Sequence, residues 1–240
     1  MNTELRLTQV FVELADTLVD EFDALDFFAT LTERCVELLP ADAAGVILND
    51  LSGGLHVVAS TSDTAKVLEL FELQNDEGPC LDCFRSGHAV VNIDPEEAAT
   101  RWPHFSSAAR KAGYQSAHAI PLRLRNSVLG AMNLFCVTRT RLDEGQVAVG
   151  QALADIATIG LLQERAVSGS GLIAEQLQTA LNSRILIEQA KGVLLASSGI
   201  NVDEAFQLMR AYSRRTNQPL KQTASEVIAR KLPAESLRTQ

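Results

Sequence analysis

Apolar residues recur at helical spacing in two stretches near the start of the chain. The first runs from Val10 to Leu18 and the second from Leu25 to Leu38, with Pro40 shortly after it. Positions three or four residues apart lie on one face of a helix, so this spacing predicts two amphipathic helices.

Several later segments are rich in apolar and β-branched residues and are separated in pairs by short turn sequences. Such runs predict antiparallel strands joined by hairpin-like connections, Ser52-Gly53-Gly54 in one pair and Arg125-Asn126-Ser127 in the other. The predicted strands are residues 43–48, 55–60, 116–124 and 128–137, with a shorter strand at 89–92.

Helical patterns between and after these strands predict an α+β architecture, in which helices flank an antiparallel sheet. We expect helices over residues 64–73, 106–112 and 143–165. A polar loop is predicted over 74–79, and Asp94, Glu96 and Glu97 are interpreted as a solvated acidic turn.

The sequence Val167-Ser168-Gly169-Ser170-Gly171 interrupts helical propensity and marks the predicted domain boundary. We therefore predict a first domain over residues 1–167, a linker over 168–171 and a second domain over 172–240.

The second domain is predicted to be an all-α three-helix bundle. Its first helix covers residues 172–197, and two more begin after Asn201 and after Pro219. The first helix also has apolar positions near coiled-coil spacing, interrupted by Arg184, which predicts that two copies pair as a homodimer. These positions are Ile173, Leu177, Ala180, Ile187 and Leu194.

Charge is divided unequally along the chain. Residues 1–171 carry 12 Lys and Arg against 24 Asp and Glu, whereas residues 172–240 carry 9 against 6. A net charge of −9 disfavours a general nucleic-acid binder, because phosphate contacts need cationic side chains. The asymmetry instead indicates an acidic body with a mildly basic C-terminal module.

The cellular setting is predicted from what the sequence lacks. The first residues do not form the apolar core of a signal peptide, and we expect no apolar run of the roughly 18 to 20 residues that span a bilayer. Four cysteines in 240 residues do not resemble a secreted disulfide framework. We expect a cytoplasmic protein with reduced thiols and no membrane partner.

Part of the second domain resembles the ANTAR domain. The resemblance rests on residues 187–194 (IEQAKGVL), 203–206 (DEAF), 208–214 (LMRAYSR) and 220–228, in that order and with helix breaks between them. ANTAR modules bind paired small hairpins in nascent leader transcripts and promote antitermination, so the resemblance implies RNA as the partner and antitermination as the output.

Cationic and small residues of this module are the predicted RNA-binding site. Cationic side chains hold phosphates, while exposed loop bases stack and form hydrogen bonds. Arg210 and Arg214 are predicted to lie opposite the apolar stripe of the second helix, outside the core. The predicted RNA-binding residues are Arg184, Ala190, Lys191, Gly192, Arg210, Tyr212, Ser213, Arg214 and Arg215.

The first domain resembles the GAF domains that are joined to ANTAR in actinobacteria, over residues from about 8 to 165. The segments that carry the resemblance are 76–82 (DEGPCLD), Arg101-Trp102-Pro103, 116–123 and 129–135. The resemblance implies a small-molecule effector. The Asn-Lys-Phe-Asp-Glu signature of the cyclic-nucleotide-binding members does not occur in this sequence.

Cys80 and Cys83 form a C-x-x-C spacing, which is compatible with a redox disulfide or with two metal ligands. A thiol- or metal-based sensor with RNA output is therefore the main alternative. His88 and His118 are candidates to line the effector pocket or to bind haem. We expect no enzyme activity, although a methionine sulfoxide reductase that uses the cysteines and a protein-interaction scaffold stay open as alternatives.

Overall fold

The computed structural model of the chain describes residues 3–17, 24–50, 54–125, 127–167, 173–216 and 218–238. The chain forms two compact units. The first comprises Met1–Phe22 and Phe27–Ala174, and the second comprises Asp23–Asp26 and Glu175–Gln240. The predicted linker at 168–171 lies outside the described residues.

The first unit combines helices with four strands. The elements are α1 (Thr3–Asp16), α2 (Ala24–Leu38), β1 (Ala43–Asn49), β2 (Leu55–Ser60), α3 (Asp63–Asn75), α4 (Pro79–Ser86), α5 (Pro95–Arg101), α6 (Pro103–Lys111), β3 (Ser116–Leu124), β4 (Ser127–Cys136) and α7 (Glu144–Val167). The first three residues of α2, 24–26, belong to the second unit.

The strands form one antiparallel sheet in the order β2-β1-β4-β3. Ala43 pairs with Phe135 between β1 and β4, and Ile120 pairs with Met132 between β3 and β4. The predicted α+β class and its main strands are confirmed. The segment predicted as a short strand at 89–92 contributes a single isolated bridge, from Val90 to Ala119.

Helices cover both faces of the sheet. On one face, Cys35 of α2 approaches Met132 with 3.1 Å between the two sulfur atoms, and Gly150 of α7 lies against Ile120. The opposite face carries a separate core to which α3, α4 and α6 contribute. Its largest members are Trp102, Phe105, Tyr114, Phe135, Leu68 and Ile47. The sheet is buried between these layers, so both sets of alternating residues in β3 and β4 are mainly apolar, with His118 and Asn133 as buried polar exceptions.

One helix differs from the expectation about membrane segments. Residues 144–162 of α7 are long and apolar enough to cross a bilayer by length and composition. Leu153, Ala154 and Ala157 of this stretch are buried in the protein. The apolar character of α7 is thus partly explained by its packing on the sheet.

The second unit contains α8 (Ile173–Ser198), α9 (Val202–Thr216), α10 (Leu220–Ile228) and a short α11 (Ala234–Arg238). The predicted three helices are confirmed as α8 to α10, and α11 was not predicted. Gly199 ends α8 with a φ of 68°, and the Asn201 side chain accepts a hydrogen bond from the Glu204 amide at 2.7 Å as α9 begins.

The predicted pairing positions on α8 do not all face solvent. Ile187 and Leu194 are buried, as are Ala205 and Met209 of α9. The side chains of Ile173, Leu177 and Ala180 lie outside the described residues. Homodimer formation through α8 therefore stays a prediction.

The close approach of β1 and β4 depends on Gly130, because a β-carbon there would lie 2.1 Å from the carbonyl oxygen of Ile47. We expect Gly130→Ala to lower the free energy of unfolding by roughly 1–3 kcal/mol, since the strands must separate to relieve the overlap. Denaturant unfolding measures this. Gly145→Ala is the matched control, because its β-carbon would meet only the Asp143 side chain at 3.3 Å. Equal stability of both variants would contradict the close packing.

Candidate functional site

A cavity of about 210 Å³ opens in the first unit beside α5, α6 and the start of β3. Its apolar lining includes Trp102, Phe105 and Tyr114, all of which are buried. Polar and charged residues complete the lining, namely Ser106, Arg110, Gln115, Ser116 and Arg139. A concave site with an apolar floor and a few polar groups is typical of small-molecule binding.

The Trp102 ring is held in place by contacts outside the cavity. Its indole Nε1 donates a hydrogen bond to Asp82 Oδ2 at 3.1 Å, and Arg101 Nε donates to the same oxygen at 2.8 Å. The Arg101 guanidinium also lies 4.8 Å from the centre of the indole ring. Phe105 packs edge-on against Trp102, with 6.5 Å between ring centres. These contacts fix the orientation of the aromatic side chains that line the cavity.

The segment 76–82 positions the elements that build the cavity. Glu77 Oε1 accepts a hydrogen bond from the Phe105 amide at 2.9 Å, and Glu77 Oε2 contacts His104 Nδ1 at 2.8 Å. Gly78 has a φ of 148°, which favours glycine, and α4 begins at the next residue. The predicted loop over 74–79 was too long, because α3 extends to Asn75 and Pro79 starts a helix.

The acidic turn predicted at 94–97 is also a helix. Asp94 is the N-cap of α5, where its side chain accepts a hydrogen bond from the Glu96 amide at 2.9 Å. Pro95 occupies the first helical position, in which a missing N–H costs nothing. This short helix places Ala98 and Trp102 beside the cavity.

A buried carboxyl group joins α3 to α4. Glu72 Oε1 accepts hydrogen bonds from the amides of Cys80 at 2.6 Å and Leu81 at 3.3 Å, and Oε2 accepts one from Asn133 Nδ2 at 3.3 Å. Burial raises the pKa of Glu72 from its ordinary 4.5 to about 8, although the amide donors oppose this shift. A side chain of α3 thereby accepts hydrogen bonds from backbone amides in the first turn of α4, which have no acceptor within their own helix.

The two cysteines of the C-x-x-C spacing are buried thiols. Cys80 and Cys83 are both fully inaccessible, and neither forms a disulfide. Burial raises the pKa of Cys83 to about 12 and that of Cys80 well above its usual value. Redox exchange and metal ligation need the thiolate, so this environment disfavours both. Within the described ranges, no three His, Cys, Asp or Glu side chains are grouped so as to hold a metal ion.

Neither histidine candidate lines the cavity. His118 lies on β3 next to Ala117, which does line it, and neighbouring strand residues point to opposite faces. Its Nδ1 accepts a hydrogen bond from the Asn92 amide at 3.1 Å, and burial lowers its pKa to about 4. His88 is exposed and its Nδ1 contacts the Ser86 carbonyl at 2.8 Å. Neither side chain therefore contributes to this cavity.

On α8, the three neighbouring residues predicted to bind RNA differ in exposure. Ala190 is completely buried, and Lys191 is only 8% exposed while its Nζ lies 3.2 Å from the Glu188 carboxylate. Gly192 is exposed, and a β-carbon there would meet nothing within 4 Å. The packing of the chain therefore gives no reason for a glycine at this point in a helix. The side chain of Arg184 lies outside the described residues.

The prediction that Arg210 lies outside the core was wrong. Arg210 is 4% exposed, and its Nε donates to Asp26 Oδ1 at 2.7 Å within the same compact unit. Ser213 is buried as well, and its hydroxyl donates to the Gln218 carbonyl. Both side chains have structural partners that an amphipathic stripe on α9 does not reveal.

The other predicted residues of α9 are more accessible. Arg214 and Arg215 are exposed, and Tyr212 is half-buried. The Arg215 guanidinium lies 5.2 Å from the centre of the Tyr212 ring, and Arg215 forms no ion pair with any described residue. Stacked arginine and tyrosine planes are suited to phosphates and exposed bases.

Comparisons with known proteins agree with the division of the chain into two units. Residues 23–161 match the model of the GAF domain, and residues 175–228 match the model of the ANTAR domain. A comparison with curated protein sequences found no match.

Two solved structures are similar to the first unit. They are the GAF domains of a phosphoenolpyruvate-protein phosphotransferase from Coxiella burnetii and of one from Acinetobacter. The first has 15% identity and a TM-score of 0.50 over 70% of this chain and 99% of that chain. The second has 14% identity and a TM-score of 0.53 over 68% and 97%. At these identities the likeness shows the fold alone.

Because the pKa of Glu72 is raised on folding, the protonated carboxyl group stabilises the folded state. This stabilisation is fully present below about pH 4.5 and is lost as the pH rises through about 8. A glutamine at this position keeps a carbonyl acceptor but cannot ionise, so Glu72→Gln is expected to flatten the fall in stability between those pH values. Urea unfolding across the pH range tests this, with the exposed Glu97→Gln as control. An unchanged pH profile in Glu72→Gln would refute the assignment.

Proposed function

Since the chain belongs to the GAF domain family and carries an ANTAR domain after it, we propose that it is a signal-responsive regulator that binds RNA and promotes transcription antitermination. The observation that carries this proposal is the ANTAR match at 175–228, which contains every residue predicted to contact RNA. The GAF domain supplies signal sensing, and the cavity beside Trp102 is the proposed effector site.

We propose that RNA hairpins contact the exposed face of α9 and the part of α8 around Gly192, including Lys191, which is 8% exposed in this structure. Gly192 leaves the α8 backbone open to a close approach, and Lys191 beside it supplies a charge. Tyr212, Arg214 and Arg215 supply stacking surfaces and phosphate contacts on α9. Arg210 and Ser213 are proposed to support this surface through their buried contacts.

We also propose an oligomeric state and a cellular location for the protein. The protein is proposed to act in the cytoplasm as a homodimer, with domains at 1–167 and 172–240 joined by the linker 168–171. It is proposed to act as a regulator without enzymatic turnover. The buried, protonated thiols of Cys80 and Cys83 favour an organic effector over the thiol- or metal-sensing alternative.

The effector must bind one state of the protein more tightly than another if it is to alter RNA binding. By thermodynamic linkage, RNA must then change effector affinity by the same factor. This reciprocity distinguishes a sensor from a chain that merely carries two independent domains.

RNA crosslinked to the full chain in cells is expected to be enriched in paired hairpins of leader transcripts, and this enrichment is expected to disappear in Lys191→Ala/Arg214→Ala. Lys191→Ala alone is expected to weaken binding by roughly 1–3 kcal/mol, since it removes a charge-assisted contact. Lys231→Ala/Arg238→Ala removes the same number of charges elsewhere in the second unit and is the control. If both double variants showed the same enrichment of hairpins, the proposed RNA-binding site would be wrong.

Gly192→Ala separates a role in folding from a role in binding. Alanine is favoured over glycine inside a helix by about 0.5–1 kcal/mol and has open space here, so the thermal unfolding midpoint is expected to rise. RNA affinity, measured by fluorescence anisotropy, is expected to fall at least several-fold because the methyl group blocks the backbone. A stabilised variant with unchanged affinity would show that RNA does not approach Gly192.

A further inference from the structure

Two arginines at the cavity beside Trp102 have no acidic partner. Arg110 and Arg139 both line the cavity and are exposed, and no Asp or Glu contributes to its lining. Within the part of the chain that the structure describes, neither side chain forms an ion pair or a hydrogen bond. By contrast, Arg101 pairs with Asp82 and Arg34 pairs with Glu13.

The absence of partners is informative because the surrounding domain is acidic. Residues 1–171 contain twice as many Asp and Glu as Lys and Arg, so an arginine has many acids with which to pair. Two cations on one concave surface create a positive potential that attracts an anion. Arginine is suited to carboxylates in particular, since its planar fork can donate two parallel hydrogen bonds.

The deeper part of the cavity has different chemistry. Trp102, Phe105 and Tyr114 are buried there with alanine and proline side chains, and Tyr114 in turn packs on Phe135 with 5.2 Å between ring centres. A cavity of about 150 Å³ accommodates a benzene molecule. The 210 Å³ present here therefore suits a single aromatic ring with a short substituent.

Two further polar groups are available to such a ligand. The Tyr114 hydroxyl and the Gln115 side-chain amide form no hydrogen bonds with other described residues. The two serines of the lining are committed elsewhere, since Ser106 donates to the Ala98 carbonyl and Ser116 donates to the Thr138 carbonyl. Hydrogen-bonding capacity thus lies at the tyrosine, the glutamine and the two arginines.

We propose that the effector is a small aryl carboxylate, with its ring against Trp102 and Phe105 and its carboxylate between Arg110 and Arg139. This inference rests on the proposed function, because it assigns a ligand class to the proposed effector site. A purely apolar ligand would leave the arginines unused, and a simple inorganic anion would leave the aromatic floor exposed to water. The aryl carboxylate satisfies both parts of the cavity.

The chain provides its own reporter for this test. Trp102 is the single tryptophan of the sequence, so intrinsic fluorescence of the full-length protein reports directly on the cavity. The probes are benzoate and phenylacetate, with benzamide and phenylacetamide as uncharged controls of matching shape and acetate as the anion without a ring. Both carboxylates are expected to change the fluorescence saturably, with affinity roughly 10- to 100-fold above their amides, as expected for hydrogen bonds to a charged group.

Arginine variants test where the carboxylate group of the ligand binds. Arg110→Gln/Arg139→Gln is expected to reduce carboxylate affinity to that of the amide, while leaving amide binding unchanged. Arg123→Gln/Arg141→Gln removes two exposed arginines outside the cavity and is expected to bind like the parent protein. Circular dichroism of each variant confirms that it is folded.

The proposal is overturned if no aryl carboxylate changes the fluorescence at millimolar concentration, if acid and amide bind equally, or if acetate binds as tightly as benzoate. Equal affinity in the two double variants also overturns it. Binding of hairpin RNA to the same protein samples is measured in parallel. Retained RNA binding with a failed fluorescence test rejects the ligand class alone, whereas loss of RNA binding in the parent protein rejects the proposed function.

Discussion

The hydrogen bonds from the start of α4 to the buried carboxyl group of Glu72 are the interaction on which the sensory domain depends. They place α4 against α3, and α4 in turn carries Asp82, which holds Trp102 and Arg101. Trp102 is one wall of the cavity. A polar group buried in the core thus determines the shape of a site that it does not touch, because each member of this chain of contacts is fixed by the one before it.

The same arrangement explains why the two thiols of α4 are buried. Cys80 and Cys83 lie on α4, whose attachment to α3 turns both thiols into the apolar core. Burial, and to a smaller extent the nearby carboxyl group of Glu72, raise the pKa of the Cys80 thiol and so oppose thiolate formation. The C-x-x-C spacing at the start of α4 therefore places both thiols in the core.

Much of the fold could be predicted from the sequence, and the failures have identifiable causes. The strands were found because their apolar runs are bounded by turns, and α7 because its helical pattern is long. The helices α4 and α5 were missed, although Pro79 and Pro95 at their first positions and Asp94 as an N-cap were visible signals. Asp94, Glu96 and Glu97 were interpreted as a solvated acidic turn, whereas Asp94 is the N-cap of α5.

The candidate sites were less predictable because they depend on contacts between distant residues. Arg210 was placed on a solvated face, yet its partner Asp26 lies 184 positions away in the sequence. The cavity joins residues from Pro79 to Arg139, and no local pattern shows that Arg110 and Arg139 share it. Gly192 differs from these residues, because the sequence alone predicted it as an RNA-binding residue. The open space around it in the structure is compatible with that prediction.

The proposed function depends on cationic and aromatic residues of the ANTAR domain that bind folded RNA. The most direct measurement is the affinity of the purified full-length chain for a tandem-hairpin RNA across a series of salt concentrations. We expect binding at low salt, with an affinity that falls linearly with salt concentration on logarithmic axes and a slope that corresponds to a few phosphate contacts. No binding at low salt, or an affinity that does not depend on salt, would contradict it.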